Sequence, residues 1–192
     1  MSAPWYWIRQ WLVVACFAAV PMVVWRAGDV VAETRQDRLA AAAYQQGVAL
    51  QVERRHGEAA AAYRKALTIS PRATAAYTAL GDVEFRQGHT DEAVRAYRQL
   101  MATYPYAYVA ELHRQVGLFE LRGGRFEAAG QDLQQAVALD PQDWVAFHWL
   151  GHAYYRLGDF RSARGAWGHA LTLNPDFSPA RDQLRELDAQ HR

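Results

Sequence analysis

The sequence predicts an all-α protein: a solenoid of four stacked helix–turn–helix repeats, followed by a C-terminal capping helix and preceded by one transmembrane helix. Two observations predict it. A long apolar segment lies near the N-terminus, and three residue types recur together in one frame. Each series has spacings of 34, 36 and 34 residues, a period typical of stacked helical repeats. The series are Gly47, Gly81, Gly117 and Gly151; Ala59, Ala93, Ala129 and Ala163; and Pro71, Pro105, Pro141 and Pro175.

The apolar segment comprises residues 5–25 and predicts a membrane anchor. As a helix its 21 residues measure about 31 Å, which matches a hydrocarbon core of about 30 Å. Arg9 lies near enough to one end to reach the headgroups, and membrane helices tolerate a proline such as Pro21. Tryptophans suited to the two membrane interfaces are Trp5, Trp7, Trp11 and Trp25. We therefore assign residues 1–28 to the anchor and residues 29–39 to a lead-in segment.

Two other interpretations of this segment stay open. In the first, it is a cleavable signal peptide with Arg9 as the basic region and a weak cleavage site at residues 30–32. In the second, it is a lipoprotein signal that ends at Cys16, but little apolar sequence precedes that residue. Cys16 is the only cysteine, so the chain has no intrachain disulfide and no cysteine-based metal site.

The composition excludes several function classes. The formal net charge is +1, which does not favour nucleic-acid binding. The sequence contains no Gly-rich phosphate loop, nucleophile elbow or constellation of carboxylates, so we expect no enzyme, no cofactor and no small-molecule substrate. Lys65 is the only lysine among 21 basic residues, a bias typical of GC-rich bacterial genomes.

Each recurring residue has a physical role in a pair of antiparallel helices. The Gly and the Ala are small enough for the two helices to approach closely, and the Pro ends the second helix. A turn glycine follows the first helix at Gly88, Gly124 and Gly158, whereas in the first repeat we expect this glycine to be displaced to Gly57. Four residues after each Ala, on the same helix face, stands a bulky side chain: Tyr63, Tyr97, Leu133 or Trp167.

This set of motifs resembles the tetratricopeptide repeat family, with pairs such as Leu80-Gly81, Leu150-Gly151 and Glu92-Ala93. The resemblance covers residues 40–177 and implies a right-handed superhelix. Its four repeats would be residues 40–73, 74–107, 108–143 and 144–177. After them, residues 178–192 predict a capping helix and tail, with Ser178 as N-cap and Pro179 at the first helical position.

The resemblance also implies a concave groove lined by the first helix of each repeat. Arg86, Arg122 and Arg156 occupy one repeat position, and a ladder of arginines suits an extended, acidic or C-terminal peptide. The Lys and Asn by which co-chaperones of the family hold a terminal carboxylate are missing, so chaperone tails are not expected. The predicted lining is Tyr44, Val48, Gln51, Asp82, Phe85, Arg86, Arg114, Leu118, Arg122, His148, His152, Tyr155 and Arg156.

Simpler interpretations of these residues remain. The arginines are often merely solvated at that position. His148 and His152 have the i, i+4 spacing of a metal-binding pair, but the sequence offers no third ligand, so we expect a polar groove lining and no metal. A cluster of Tyr104, Tyr106 and Tyr108 predicts a packed loop or a partner contact where the repeat is two residues longer.

The layout predicts a scaffold for protein–protein interaction that supports a membrane or envelope complex. The alternative is a stoichiometric accessory subunit of a larger membrane complex, such as a respiratory, photosynthetic or secretion complex. Similar bacterial proteins are single-pass in the inner membrane with their repeats in the periplasm. Arg26, Arg35 and Arg38 follow the span, and by itself the positive-inside rule would place the repeats in the cytoplasm, but by a small margin. We therefore expect the repeats in the periplasm.

Overall fold

The computed structural model describes residues 35–105 and 109–190, and every regular element in those two ranges is an α-helix. The first helix, α1, is described over residues 35–52. The others are α2 (His56–Ile69), α3 (Thr74–Arg86), α4 (Thr90–Thr103), α5 (Val109–Arg122), α6 (Phe126–Leu139), α7 (Trp144–Arg156), α8 (Phe160–Leu173) and α9 (Ser178–Gln190).

None of the described helices combines the length and the apolar character needed to cross a membrane. The predicted anchor at residues 5–25, with its four tryptophans, lies outside the described residues. So do Tyr106 and Tyr108.

The repeat glycines bring the two helices of each pair into contact. A Cβ added at Gly81 would lie 2.4 Å from the Tyr97 ring, and one added at Gly151 would lie 2.4 Å from the Trp167 ring. In the same way, a Cβ added at Gly47 would lie 2.5 Å from the Tyr63 ring, and one added at Gly117 would lie 2.6 Å from the Leu133 side chain. The bulky side chain of the second helix therefore occupies the space that a side chain at the glycine would need. This contact confirms the close packing that the repeat pattern predicts.

The turns within the helix pairs follow the same frame, with one correction. Gly88, Gly124 and Gly158 have φ values of +84, +78 and +79°, a left-handed conformation that favours glycine. In the first repeat the equivalent residue is Arg54, with φ of +60°, while Gly57 lies inside α2. The prediction that Gly57 serves this turn was therefore wrong, because the turn keeps its place in the frame and an arginine accepts the strained conformation.

The core runs along the stack and is shared between neighbouring repeats. One cluster joins Tyr77 and Tyr97 of the second repeat to Leu112, Val116 and Phe119 of the third. Each repeat therefore buries its apolar surface against the next one, as in a solenoid.

At the C-terminal end of the stack, α9 covers the last repeat. Ala180 and Leu187 are buried in one cluster with Trp167 and Ala170 of α8. The helix begins at Ser178 itself, one residue before the predicted first helical position, with Pro179 still in the first turn, where no intrahelical N–H donor is needed.

Candidate functional site

An open cavity of about 490 Å³ lies between α1 and α3, on the side of the stack that the repeat frame assigns to the groove. Among its lining residues are Tyr44, Val48 and Gln51 of α1, and Asp82 and Arg86 of α3. The structure thus brings together five groove residues selected from the sequence. Small side chains of α3, at Ala75 and Ala79, leave the room between the two helices.

The floor of this cavity is the Tyr63 ring. Its hydroxyl donates a hydrogen bond of 2.7 Å to Oε1 of Gln51, and its centroid lies 5.6 Å from that of Tyr44. Burial raises the pKa of the Tyr63 hydroxyl, and the neighbouring Tyr44 and Asp82 raise it further. Tyr63 therefore stays neutral, holding the Gln51 amide so that its NH₂ group can serve as a donor to a bound chain.

Asp82 provides the acidic group of the cavity. Its Oδ1 accepts a hydrogen bond of 3.0 Å from the Tyr97 hydroxyl. Burial raises the pKa of Asp82, while the Tyr97 hydrogen bond and the Arg86 charge act in the opposite direction. Arg86 is exposed one helical turn after Asp82, so the cavity offers a donor and an acceptor side by side.

The remaining groove arginines have partners within the chain. The Arg114 guanidinium forms ion pairs with Asp143, at 2.9 Å, and with Glu111. The Arg122 guanidinium lies over the Phe85 ring, 5.4 Å from its centroid, and the Phe85 ring stacks on Phe119 at 4.3 Å. These contacts hold the side chains against the stack, so the ladder is less available than the sequence alone indicated.

The third of the groove arginines, Arg156, also packs on an aromatic ring. The Arg156 guanidinium lies over the Phe126 ring, 4.1 Å from its centroid. A guanidinium above a ring keeps the donors at its edge, and an anionic group can still reach them. Leu118, also predicted in the lining, is half-buried on α5.

The fourth repeat differs most from the prediction. His148 is only 6% exposed, and the Phe177 ring, from the segment after α8, lies 4.8 Å from it. The Tyr155 hydroxyl donates a hydrogen bond of 3.2 Å to Oε1 of Gln190 in α9. His148 was expected in the groove lining and is instead buried, because the chain that continues beyond the last repeat folds over this position.

Burial keeps the pKa values of His148 and His152 below that of an ordinary histidine. Burial lowers the pKa of His148 to about 4, with His152 acting in the same direction, and burial also lowers the pKa of His152. Their rings meet edge to face at 4.6 Å. Within residues 35–105 and 109–190 no group of three or more His, Cys, Asp or Glu side chains is arranged to hold a metal ion.

A second set of polar contacts, on the other side of the stack, was missed by the sequence-based prediction. Each contact joins the second helix of one repeat to the first helix of the next: Arg64 to Glu84, Arg98 to Glu120 and Gln134 to Tyr154. The signal was present, because Glu84, Glu120 and Tyr154 all stand three residues after the repeat glycine. A glutamate in a helix is normally expected at the surface, so the sequence did not predict that Glu84 and Glu120 are only 1% and 3% exposed.

The repeats match known protein families and relatives. Sequence models described as tetratricopeptide repeats match residues 53–116 and 144–177, and one described as a TPR repeat matches residues 117–158. RNA polymerase II-associated protein 3 of Rattus norvegicus is 32% identical over 108 residues, which are 56% of this chain and 16% of that protein. The chain thus spans about a sixth of that relative's length.

Two solved structures are similar over most of the described helices. A crystal structure of MamA has a TM-score of 0.70 at 21% identity, covering 78% of this chain and 80% of that one. The first TPR of Spaghetti (RPAP3), bound to the HSP90 peptide SRMEEVD, has a TM-score of 0.56 at 26% identity and covers 61% of this chain and 94% of that one.

Proposed function

Because residues 53–177 belong to the tetratricopeptide repeat family, we propose that the chain is a scaffold that binds a segment of a partner protein along its concave groove. The observation that carries this proposal is the open cavity between α1 and α3. It combines apolar walls with the Gln51 amide, the Asp82 carboxylate and the Arg86 guanidinium. Such a set suits an extended chain, whose backbone needs both donors and acceptors.

The chemistry of the bound segment follows from the charges of the groove. Arg86, Arg122 and Arg156 occupy the same position in successive repeats, and guanidinium groups pair well with carboxylates. The RPAP3 domain with the acidic HSP90 peptide supports a segment of this kind. We propose an acidic segment other than a chaperone tail, since the Lys and Asn by which the family's co-chaperones hold a terminal carboxylate are missing here.

The proposal is tested with a library of displayed extended peptides, selected on the full-length chain. Selected peptides should be acidic and should bind a Val48→Trp variant at least about tenfold more weakly, a loss of about 1.4 kcal/mol, since the uncharged indole fills the cavity. Lys65→Glu on the exposed face of α2 is the control and should bind as the parent does. Peptides that bind Val48→Trp as strongly as the parent would refute groove binding.

We also propose that residues 5–25 anchor the scaffold in a bacterial inner membrane, with the repeats on the periplasmic side. The length of this apolar segment and its terminal tryptophans support the anchor. The full-length chain should remain with membranes after carbonate extraction, and added protease should reach the repeats in spheroplasts. Recovery in the soluble fraction would contradict the anchor, and protection from the protease would favour a cytoplasmic orientation.

The alternative function, an accessory subunit of a membrane complex, is favoured by the number of aromatic residues in the anchor. Trp5, Trp7 and Trp11 lie at one end, and a simple anchor does not require three tryptophans there. Replacing residues 5–25 by an unrelated transmembrane helix separates the two functions. A scaffold should keep its partners after this exchange, whereas a subunit that packs through its anchor should lose them.

A further inference from the structure

A cluster of four ionisable side chains lies where the second repeat meets the third. Arg98 comes from α4, His113 and Glu120 from α5, and Asp132 from α6; we call these four residues the joint cluster. Arg98 Nη2 lies 2.8 Å from Glu120 Oε1 and 3.1 Å from Asp132 Oδ2. His113 Nδ1 lies 2.7 Å from Asp132 Oδ1. One guanidinium nitrogen therefore serves two carboxyl groups.

The two carboxyl groups are buried, and one oxygen has no partner. Glu120 is 3% exposed and Asp132 is 8% exposed. Glu120 Oε2 is buried without a hydrogen-bond partner among the described residues. An unpaired oxygen of a buried carboxylate is costly, and protonating one carboxyl of such a pair removes both the repulsion and one charge.

The presence of Asp132 is specific to this joint. Fifteen residues after the repeat glycine the other repeats have alanine, at Ala62, Ala96 and Ala166, and all three are buried. An alanine therefore satisfies the packing at this position, and a second carboxyl group is not needed to build the fold. Asp132 adds a second carboxyl group beside the Arg98–Glu120 ion pair that joins the two repeats.

The joint between the first and second repeats provides the matched comparison. There Glu84 Oε1 accepts from Arg64, and Glu84 Oε2 lies 2.8 Å from His89 Nδ1. Ala96 stands in place of Asp132, so a single carboxylate meets two basic side chains and both of its oxygens are bonded. The third joint, between Gln134 and Tyr154 at 2.6 Å, is bridged by two uncharged side chains.

We propose that the buried Glu120 carboxyl group keeps a proton at neutral and lower pH, and that loss of this proton leaves two buried carboxylates on one guanidinium and loosens the joint between the second and third repeats. The joint cluster would then act as a proton-controlled hinge between the two halves of the stack. Its effect on partner binding rests on the proposed function, because the joint sets how the two halves of the groove lie relative to each other.

The direction of the pKa shift of Glu120 agrees with this proposal. Burial raises the pKa of Glu120, and the charge of Asp132 raises it further, while Arg98 and, more weakly, Arg125 lower it. A carboxyl group whose pKa is higher in the folded state stabilises the fold when it is protonated. This contribution is complete below the ordinary pKa of glutamate and is lost as the pH rises through the folded-state value.

The test compares urea unfolding of the full-length chain with that of a Glu120→Gln variant between pH 5 and pH 9. The amide mimics the protonated carboxyl group, so the two proteins should have similar midpoints at pH 5. At pH 9 the variant should be the more stable, by at least about tenfold in the unfolding equilibrium constant, since a pKa raised by one on folding changes that constant tenfold. His148 is present in both proteins, so its own titration cancels in the difference.

Glu84→Gln is the matched control. It removes a carboxylate that is bonded to Arg64 and His89, so it should destabilise the chain at pH 9, the opposite sign to Glu120→Gln. Asp132→Ala copies the arrangement at Ala96 and provides a second variant should Glu120→Gln fail to fold. It should reduce the loss of stability that the parent shows between pH 5 and pH 9, because it removes the Asp132 charge while Glu120 stays buried.

Hydrogen exchange distinguishes a hinge from a general weakening. Once corrected for intrinsic rates, amides of α4 and α5 around the joint should lose protection at high pH in the parent and keep it in Glu120→Gln. Equal shifts of the urea midpoint with pH in the parent and in Glu120→Gln would overturn the proton on Glu120. Protection lost uniformly over all helices would overturn the hinge. Neither result depends on peptide binding, so failure of the groove proposal is recognised separately.

Discussion

The first and fourth repeats occupy the same frame, yet their groove faces are opposite in character. Tyr44 and His148 both stand three residues before the repeat glycine. Tyr44 borders an open cavity of about 490 Å³, whereas His148 is 6% exposed beneath Phe177. The helix pairs themselves are alike, since Gly47 packs on Tyr63 as Gly151 packs on Trp167.

The difference arises from the segment that comes after each repeat in the chain. After the first repeat comes α3, which presents Ala75 and Ala79 and leaves space. After the fourth repeat come Phe177 and α9, and Phe177 packs on both Trp144 and His148. The position of a residue in the repeat therefore sets whether its side chain points toward the groove. The segment that follows that repeat in the chain decides whether the side chain is exposed or covered.

The largest expected effect is at the closed end. Phe177→Ala should destabilise the chain by about 2–3 kcal/mol, below the usual cost of a fully buried Phe because Phe177 is only half-buried. With the cover removed, the pKa of His148 should rise from about 4 toward its ordinary value, as burial is the main cause of the low pKa. Urea unfolding and an NMR titration of the histidines measure the two effects.

The control for this change is Val52→Ala at the open end. Val52 is 81% exposed, so the substitution should change stability by no more than about 0.5 kcal/mol. A His148 pKa that stays low in Phe177→Ala would mean that other groups, and not Phe177, keep this histidine from water.

A smaller effect tests whether the two ends share the same helix contact. Gly47→Ala and Gly151→Ala should each cost about 1–3 kcal/mol, because the new Cβ would lie 2.5 Å or less from the Tyr63 or Trp167 ring. Gly165→Ala is the matched control: no heavy atom lies within 4 Å of its Cβ, so the change should stabilise α8 by about 0.5–1 kcal/mol. If only one end responds, the two helix pairs are not equivalent.

The smallest effect concerns the turns. Arg54→Gly should stabilise the chain by about 0.5 kcal/mol, because relief of about 1–2 kcal/mol of left-handed strain is partly offset by the entropy of glycine. Gly158→Ala at the equivalent turn should destabilise it by about 1 kcal/mol. Thermal unfolding measures the stability change of each variant. A loss of stability in Arg54→Gly would show that contacts of the arginine side chain stabilise this turn.

Much of the fold was predictable because it is periodic. Three residue series in one frame predicted the helix pairs, and Gly81 against Tyr97 is the contact that such a series requires. The errors occurred where the repeats differ from one another. Gly57 is the glycine nearest to the first turn, but the repeat frame places the turn at Arg54, and the structure follows the frame.

The groove was only partly predictable. Tyr44, Gln51, Asp82 and Arg86, which the sequence predicted in the groove lining, surround one cavity. Arg114 pairs with Asp143, the N-cap of α7, and Arg122 lies over Phe85 of α3. Both partners belong to other helices and were not identified from the sequence. The joint cluster was also missed, since a lone Asp132 in place of alanine has no meaning until Arg98 and Glu120 are seen beside it.

By itself the sequence determined the helices, their pairing and the frame of the stack. Side-chain size and helix-ending residues act over a few positions, and the residues that pair the helices recur at a nearly constant spacing. The tertiary structure alone decided which groove positions are open, which arginines are already engaged, and that two buried carboxyl groups share one guanidinium. Burial, pKa and ion pairing depend on atoms that lie far apart along the chain, and no local pattern records how closely those atoms approach.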